Sequence, residues 1–78
     1  MGKVIIEGTI EFIGEGAFSG CRDLTALEIQ DGVKTIWDHA FKDCWGLTSV
    51  VIPDSVTEIG DGAFSGCHSL TSFKSPGT

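Results

Sequence analysis

The sequence predicts a short α/β solenoid, a right-handed coil of 23-residue repeats with a parallel sheet on one face and short helical turns on the other. Three observations predict it. The segment Ala63-Phe64-Ser65-Gly66-Cys67 recurs as Ala17-Phe18-Ser19-Gly20-Cys21 and, altered, as Ala40-Phe41-Lys42-Asp43-Cys44, each copy 23 residues from the next. Apolar residues fall into columns with the same period: Leu24, Leu47, Leu70; Val4, Leu27, Val50, Phe73; Ile6, Ile29, Ile52; Ile10, Val33, Val56; Ile13, Ile36, Ile59. Within a unit, Leu47, Val50 and Ile52 follow an L-x-x-L-x-L spacing that suits a short strand. A unit this small cannot bury its apolar side alone. Stacked on a neighbour, equal positions lie over one another and the columns become one core.

The units run over about 1–23, 24–46 and 47–69, with a partial one at 70–78, all within a single domain over 1–78. Strands are expected at 3–6, 26–29, 49–52 and 72–74, with Val50 and Ile52 inward and Ser49 and Val51 outward by the twofold period of a strand. Pro53-Asp54-Ser55 turns the chain, after which Val56 and Ile59 point back to the core. Ala63, Phe64 and Cys67 have the spacing of one helical face, so 62–67 and its copies read as a helical turn. Its cap is the acid of the column Glu15, Asp38, Asp61, and its exit is Gly20 or Gly66. Pro76 is expected to blunt the edge of the last strand.

Composition narrows the function. Eleven acidic against five basic residues give a formal charge of −6, which argues against direct contact with nucleic-acid phosphates. No apolar run approaches the roughly 18 residues of a membrane span, and the start Met1-Gly2-Lys3-Val4-Ile5-Ile6-Glu7 is no signal peptide. Taken as a full-length protein, the chain is expected in the cytoplasm. Cys21, Cys44 and Cys67 share the repeat period and lack the close CxxC pairing of a zinc site, so they read as small buried residues rather than as metal ligands or a disulfide framework. No cofactor is expected. Asp38, His39 and Cys44 superficially suggest a nucleophilic site, but Cys44 belongs to an inward column whose other copies have no such histidine, so no enzyme is expected.

The run from Leu47 to Cys67, LTSVVIPDSVTEIGDGAFSGC, resembles the BspA-like, or Treponema pallidum-type, leucine-rich repeat, with its pattern I-P-x-S-V-T-x-I-G-x-x-A-F-x-x-C-x-x-L. The likeness extends over nearly the whole chain, departing at Gly8-Thr9-Ile10 and Gln30-Asp31-Gly32, which are turn positions. The resemblance implies a leucine-rich-repeat solenoid and a non-catalytic protein-binding role. Members of this family are often surface proteins of bacteria or protists, with many repeats and a secretion signal.

Two surfaces are candidates for contact. In the second unit Trp37, His39 and Trp45 stand where the other units have Gly14 and Gly60, Gly16 and Gly62, and Arg22 and His68. Large side chains at positions that tolerate glycine should be exposed, and tryptophan is favoured at interface hot spots. The second surface is the outward face of the sheet, with Glu28, Gln30 and Val51 at its centre, the face leucine-rich repeats commonly use according to the resemblance. The expected partner is a protein. Uncapped ends predict a homo-oligomer, which makes a self-assembling module the alternative function. A third is a small acidic, possibly phage-encoded, inhibitor of a nucleic-acid-binding enzyme.

Overall fold

In the computed structural model, which describes residues 2–74, the chain winds through seven short strands: β1 Gly2–Ile6, β2 Phe12–Ile13, β3 Leu24–Ile29, β4 Thr35–Ile36, β5 Ser49–Val51, β6 Glu58–Ile59 and β7 Ser72–Lys74. They form two all-parallel sheets. The larger has the order β1-β3-β5-β7 and the smaller β2-β4-β6. Val4 pairs with Leu27, Leu27 with Val50 and Val50 with Phe73, and Ile13 pairs with Ile36 and Ile36 with Ile59, so the columns read from the sequence are the register of the sheets. Pro76 and the rest of the tail from Ser75 lie outside the described residues, as do the side chains of Phe73 and Lys74.

The second sheet was not anticipated. Its strands are only two residues long, too short for alternation to be visible, and the sequence places Val56 and Ile59 simply as returning to the core after the turn at Pro53-Asp54-Ser55. The expected helical turns do not form. Over 14–21 and its copies the backbone N–H groups alternate. Those of Ala17, Ser19 and Cys21 close turns onto Gly14, Gly16 and Phe18, while those of Gly16, Phe18 and Gly20 cross to the carbonyls of Asp38, Ala40 and Lys42 in the next coil at 2.7–3.1 Å. The second coil repeats the pattern from His39, Phe41 and Asp43 to Asp61, Ala63 and Ser65. A helix would turn all its N–H groups back on itself. Here positive φ values of 58–77° at residues 16, 20, 39, 43, 62 and 66 break the helical run and leave half the N–H groups aimed along the stack. The acidic column changes role accordingly. Asp38 does not cap a helix; its Oδ1 accepts the N–H of Asp61 one coil on, at 2.9 Å.

The core lies between the two sheets and this turn segment. Leu24, Leu27, Val33, Ile36, Phe41, Cys44, Leu47 and Val50 are essentially sealed from solvent. Phe18, Phe41 and Phe64 form a ladder of parallel rings with centroids 5.1 and 5.4 Å apart. Three members of the inward columns depart from expectation: Ile10 and Ala17 in the first coil and Ile59 in the third are exposed, each at an end of its own column. Beside the ladder, the thiol of Cys44 donates to the carbonyl of Phe18 and that of Cys67 to the carbonyl of Phe41, both at 3.2 Å. Thr48 and Thr71 likewise donate hydroxyls to Thr25 and Thr48 carbonyls. These side chains satisfy backbone oxygens of the preceding coil, where a bare carbonyl would lose its hydration without compensation.

Phe41 lies between the other two rings of the ladder and is fully buried, whereas Phe18 and Phe64 are half-buried. Truncating such a ring costs about 3–5 kcal/mol, comparable to the whole stability of a domain this small. Phe41→Ala is therefore expected to lose cooperative urea unfolding by circular dichroism, whereas Phe18→Ala, at the half-buried end of the ladder, retains a transition at lower midpoint.

Burial pushes the Cys44 thiol up from 9.0 to about 11, and Cys67 rises for the same reason. Both thiols hold their protons longer when folded; the Cys44 contribution is intact below pH 9 and is lost as pH rises from there through about 11, and that of Cys67 is lost in the same direction. Urea midpoints measured across that window should fall, with a shallower slope in Cys44→Ala.

Candidate protein-binding surface

Trp37 follows the last residue of β4, and its neighbourhood is set by how closely the third coil passes. A Cβ on Gly60 would lie 2.4 Å from the Asp38 nitrogen and 2.7 Å from the Trp37 carbonyl carbon, so only glycine fits there. The third coil therefore leaves space beside the indole, and a groove of about 360 Å³ opens over the smaller sheet. Phe12, Thr35, Trp37, Asp38, Glu58 and Ile59 line it. Phe12, Trp37 and Ile59 are 57%, 50% and 45% exposed, an unusual cluster for side chains of this size. The only charged groups in the lining are the carboxylates of Asp38 and Glu58. Lys34, next in the chain to Thr35, is turned to Glu11 at 3.7 Å.

Phe12 and Ile59 were missed in the sequence. Ile59 sits in an apolar column and was assigned to the core on that ground. Phe12 did carry a signal: its counterparts are Thr35 and Glu58, so its column faces water and an aromatic there is as anomalous as Trp37.

The other sequence-derived candidates are distributed rather than gathered. Trp45 is in another column at the opposite end of the turn segment. Arg22 lies over its ring at 4.0 Å from the centroid, and His68 is tilted against it at 6.3 Å, so the indole is already flanked within the chain. His39 projects from the middle of the segment with φ 58°, and its ring covers Gly62, where a Cβ would meet Cδ2 at 2.9 Å. Neither His39 nor Trp45 lines the groove beside Trp37. On the outer face of the larger sheet, Glu28 is half-buried and paired with Lys3 at 3.3 Å, and Gln30, just past β3, accepts the Gly8 N–H at 3.3 Å. Ile5 and Val51 flank Glu28 in register and remain exposed.

Asp38, His39 and Cys44 form no nucleophilic site. The Cys44 thiol is buried, donates to Phe18 and is held protonated, the reverse of what a nucleophile needs.

The family model described as a BspA type leucine rich repeat region (6 copies) matches residues 1–78. The chain belongs to the BspA-type leucine-rich repeat family. A crystal structure of a leucine rich cell surface protein from Faecalibacterium prausnitzii A2-165 is similar to it, with a TM-score of 0.86 and 36% identity over 94% of this chain. The match spans 19% of that protein's length, so the repeat described here corresponds to a small part of that relative. No curated protein matches. Among the described residues no helix is long and apolar enough to cross a membrane.

His39 breaks the glycine rule at a left-handed position, which costs about 1–2 kcal/mol for a residue bearing a Cβ. Gly16 and Gly62 fill the equivalent sites at φ 63°. His39→Gly should therefore raise the urea midpoint by an amount equivalent to about 1 kcal/mol, while His39→Ala should not raise it. Asp43→Gly should gain less, because aspartate tolerates this conformation.

Proposed function

We propose that the chain is a non-catalytic protein-binding repeat module. The observation that carries this reading is the exposed cluster of Phe12, Trp37 and Ile59 around an open groove on the smaller sheet. Apolar side chains of this size on a rigid parallel scaffold gain by being covered, and aromatic anchors in a pocket supply most of the energy of small interfaces. Family membership supports a binding or scaffolding role. The length of the crystallised relative supports a longer array, of which these coils form one part, and its description supports display at a cell surface. The outer face of the larger sheet, with Ile5 and Val51 exposed, is the secondary contact surface in this reading.

Affinity capture from the source cells separates the two faces. Resin carrying the native chain is compared with Trp37→Ala and Val51→Lys resins, all three matched by circular dichroism. A protein retained by the native resin and lost with Trp37→Ala supports binding through the smaller sheet, and loss with Val51→Lys alone moves it to the larger one. Retention only of further copies of the chain would favour self-assembly, and identical capture by all three resins would count against the reading.

A further inference from the structure

Building on the reading of the chain as a protein-binding module, we propose that the groove beside Trp37 receives a basic side chain, lysine or arginine, from an extended segment of a partner protein. Three features of the groove select that occupant. Its walls are aromatic and aliphatic, Phe12, Trp37 and Ile59, and long enough to cover the methylene stem of a lysine or arginine. The face of an indole attracts a cation. The two charged groups in its lining, Asp38 and Glu58, are both carboxylates.

Among the described residues no cation forms an ion pair with either of them. Lys34 is held by Glu11, Lys3 by Glu28, and Arg22 lies on Trp45. Glu58 has no ion-pair partner among the described residues. Asp38 spends one carboxylate oxygen on the Asp61 N–H. The fold already uses this pairing once within itself, since Arg22 lies over Trp45 at 4.0 Å, a guanidinium on an indole. Trp37 presents the same ring type, half-exposed, beside two carboxylates and without the guanidinium. An acidic or phosphorylated segment is opposed by the carboxylates and by the net charge of −6. A wholly apolar segment would cover the carboxylates without pairing them, at a desolvation cost.

The test uses the intact chain and three peptides: acetyl-Gly-Leu-Lys-Leu-Gly-amide and the same sequence with norleucine or glutamate in place of lysine. Binding is followed by nuclear magnetic resonance through the Trp37 indole and the amides of Phe12 and Ile59, with a dilution series as control for self-association. The lysine peptide should shift these signals, with affinity about tenfold above the norleucine peptide, and the glutamate peptide should leave them unmoved. The preference should shrink in 0.5 M salt, since screening over about 4–5 Å weakens exposed pairs, and should fall to the small part the indole supplies in the double variant Asp38→Asn, Glu58→Gln. Asparagine keeps the Oδ1 that accepts the Asp61 N–H, so that variant is expected to fold, which circular dichroism checks.

Equal binding of the lysine and norleucine peptides overturns the inference, as do shifts confined to Ile5 and Val51, or no shift by any peptide at about 5 mM, where even millimolar affinity would register. The two readings fail separately. Peptide failure alongside a captured protein lost in Trp37→Ala removes the basic occupant and leaves the binding module. Success of the lysine peptide supports the occupant whether or not a protein is captured.

Discussion

Everything in this structure depends on one coil lying in strict 23-residue register on the next, at backbone distance. Three glycine contacts enforce that closeness. A Cβ on Gly8 or Gly32 would collide with the opposing backbone oxygen of Asp31 or Gly8, one on Gly46 would reach the Arg22 oxygen, and one on Gly60 would strike the Asp38 nitrogen. These are not turns that merely favour glycine; they are points where two coils touch with no room for a side chain. The core follows from the same contact. Phe41 is buried only because Phe18 and Phe64 lie at ring-stacking distance on either side, and a coil without neighbours would expose it.

Backbone hydrogen bonding is organised by the same constraint. On the smaller sheet, donors run from a later coil to an earlier one, as from Trp37 to Ile13 and Gly60 to Ile36. On the turn segment they run the other way, from Phe18 to Ala40 and Phe41 to Ala63. The thiols of Cys44 and Cys67 and the threonine hydroxyls add donors from later to earlier coils. Cys44 and Cys67 are thus more than filler. Each is a small apolar side chain that also completes a carbonyl, and burial favours its donor form.

This explains what could be read in the sequence and what could not. Columns were legible because a stacked core demands the same residue type at each repeat, and Val4, Leu27 and Val50 do pair as their spacing requires. The helical turn was not legible as false. Ala63, Phe64 and Cys67 have helical spacing, and only the left-handed backbone at residues 62 and 66 reveals that the N–H groups are directed outward along the stack. That information was present as the glycines of the other copies, but glycine also ends helices, so it pointed both ways. The site was half legible. Trp37 was visible as a departure from its column, and Phe12 obeyed the same logic unnoticed, whereas Ile59 conforms to its column and is exposed only through its place in the stack.

The departures share a pattern that bears on function. The second coil keeps an apolar residue at every inward position of the repeat and changes outward ones: Trp37, His39, Asp43 and Trp45 replace glycine, glycine, glycine and a basic or histidine residue. Two of these, His39 and Asp43, hold left-handed conformations that glycine adopts without cost. A coil flanked on both sides is the one best able to bear such strain, because hydrogen bonds from His39 and Asp43 to the third coil hold the backbone in place. The middle of the stack is therefore where the repeat can carry side chains that do not serve folding. Trp37 uses that freedom at the rim of the groove, where the glycine of the following coil makes way for it. Conformity inside and departure outside, in one coil, separates the residues that build this solenoid from those available to meet a partner.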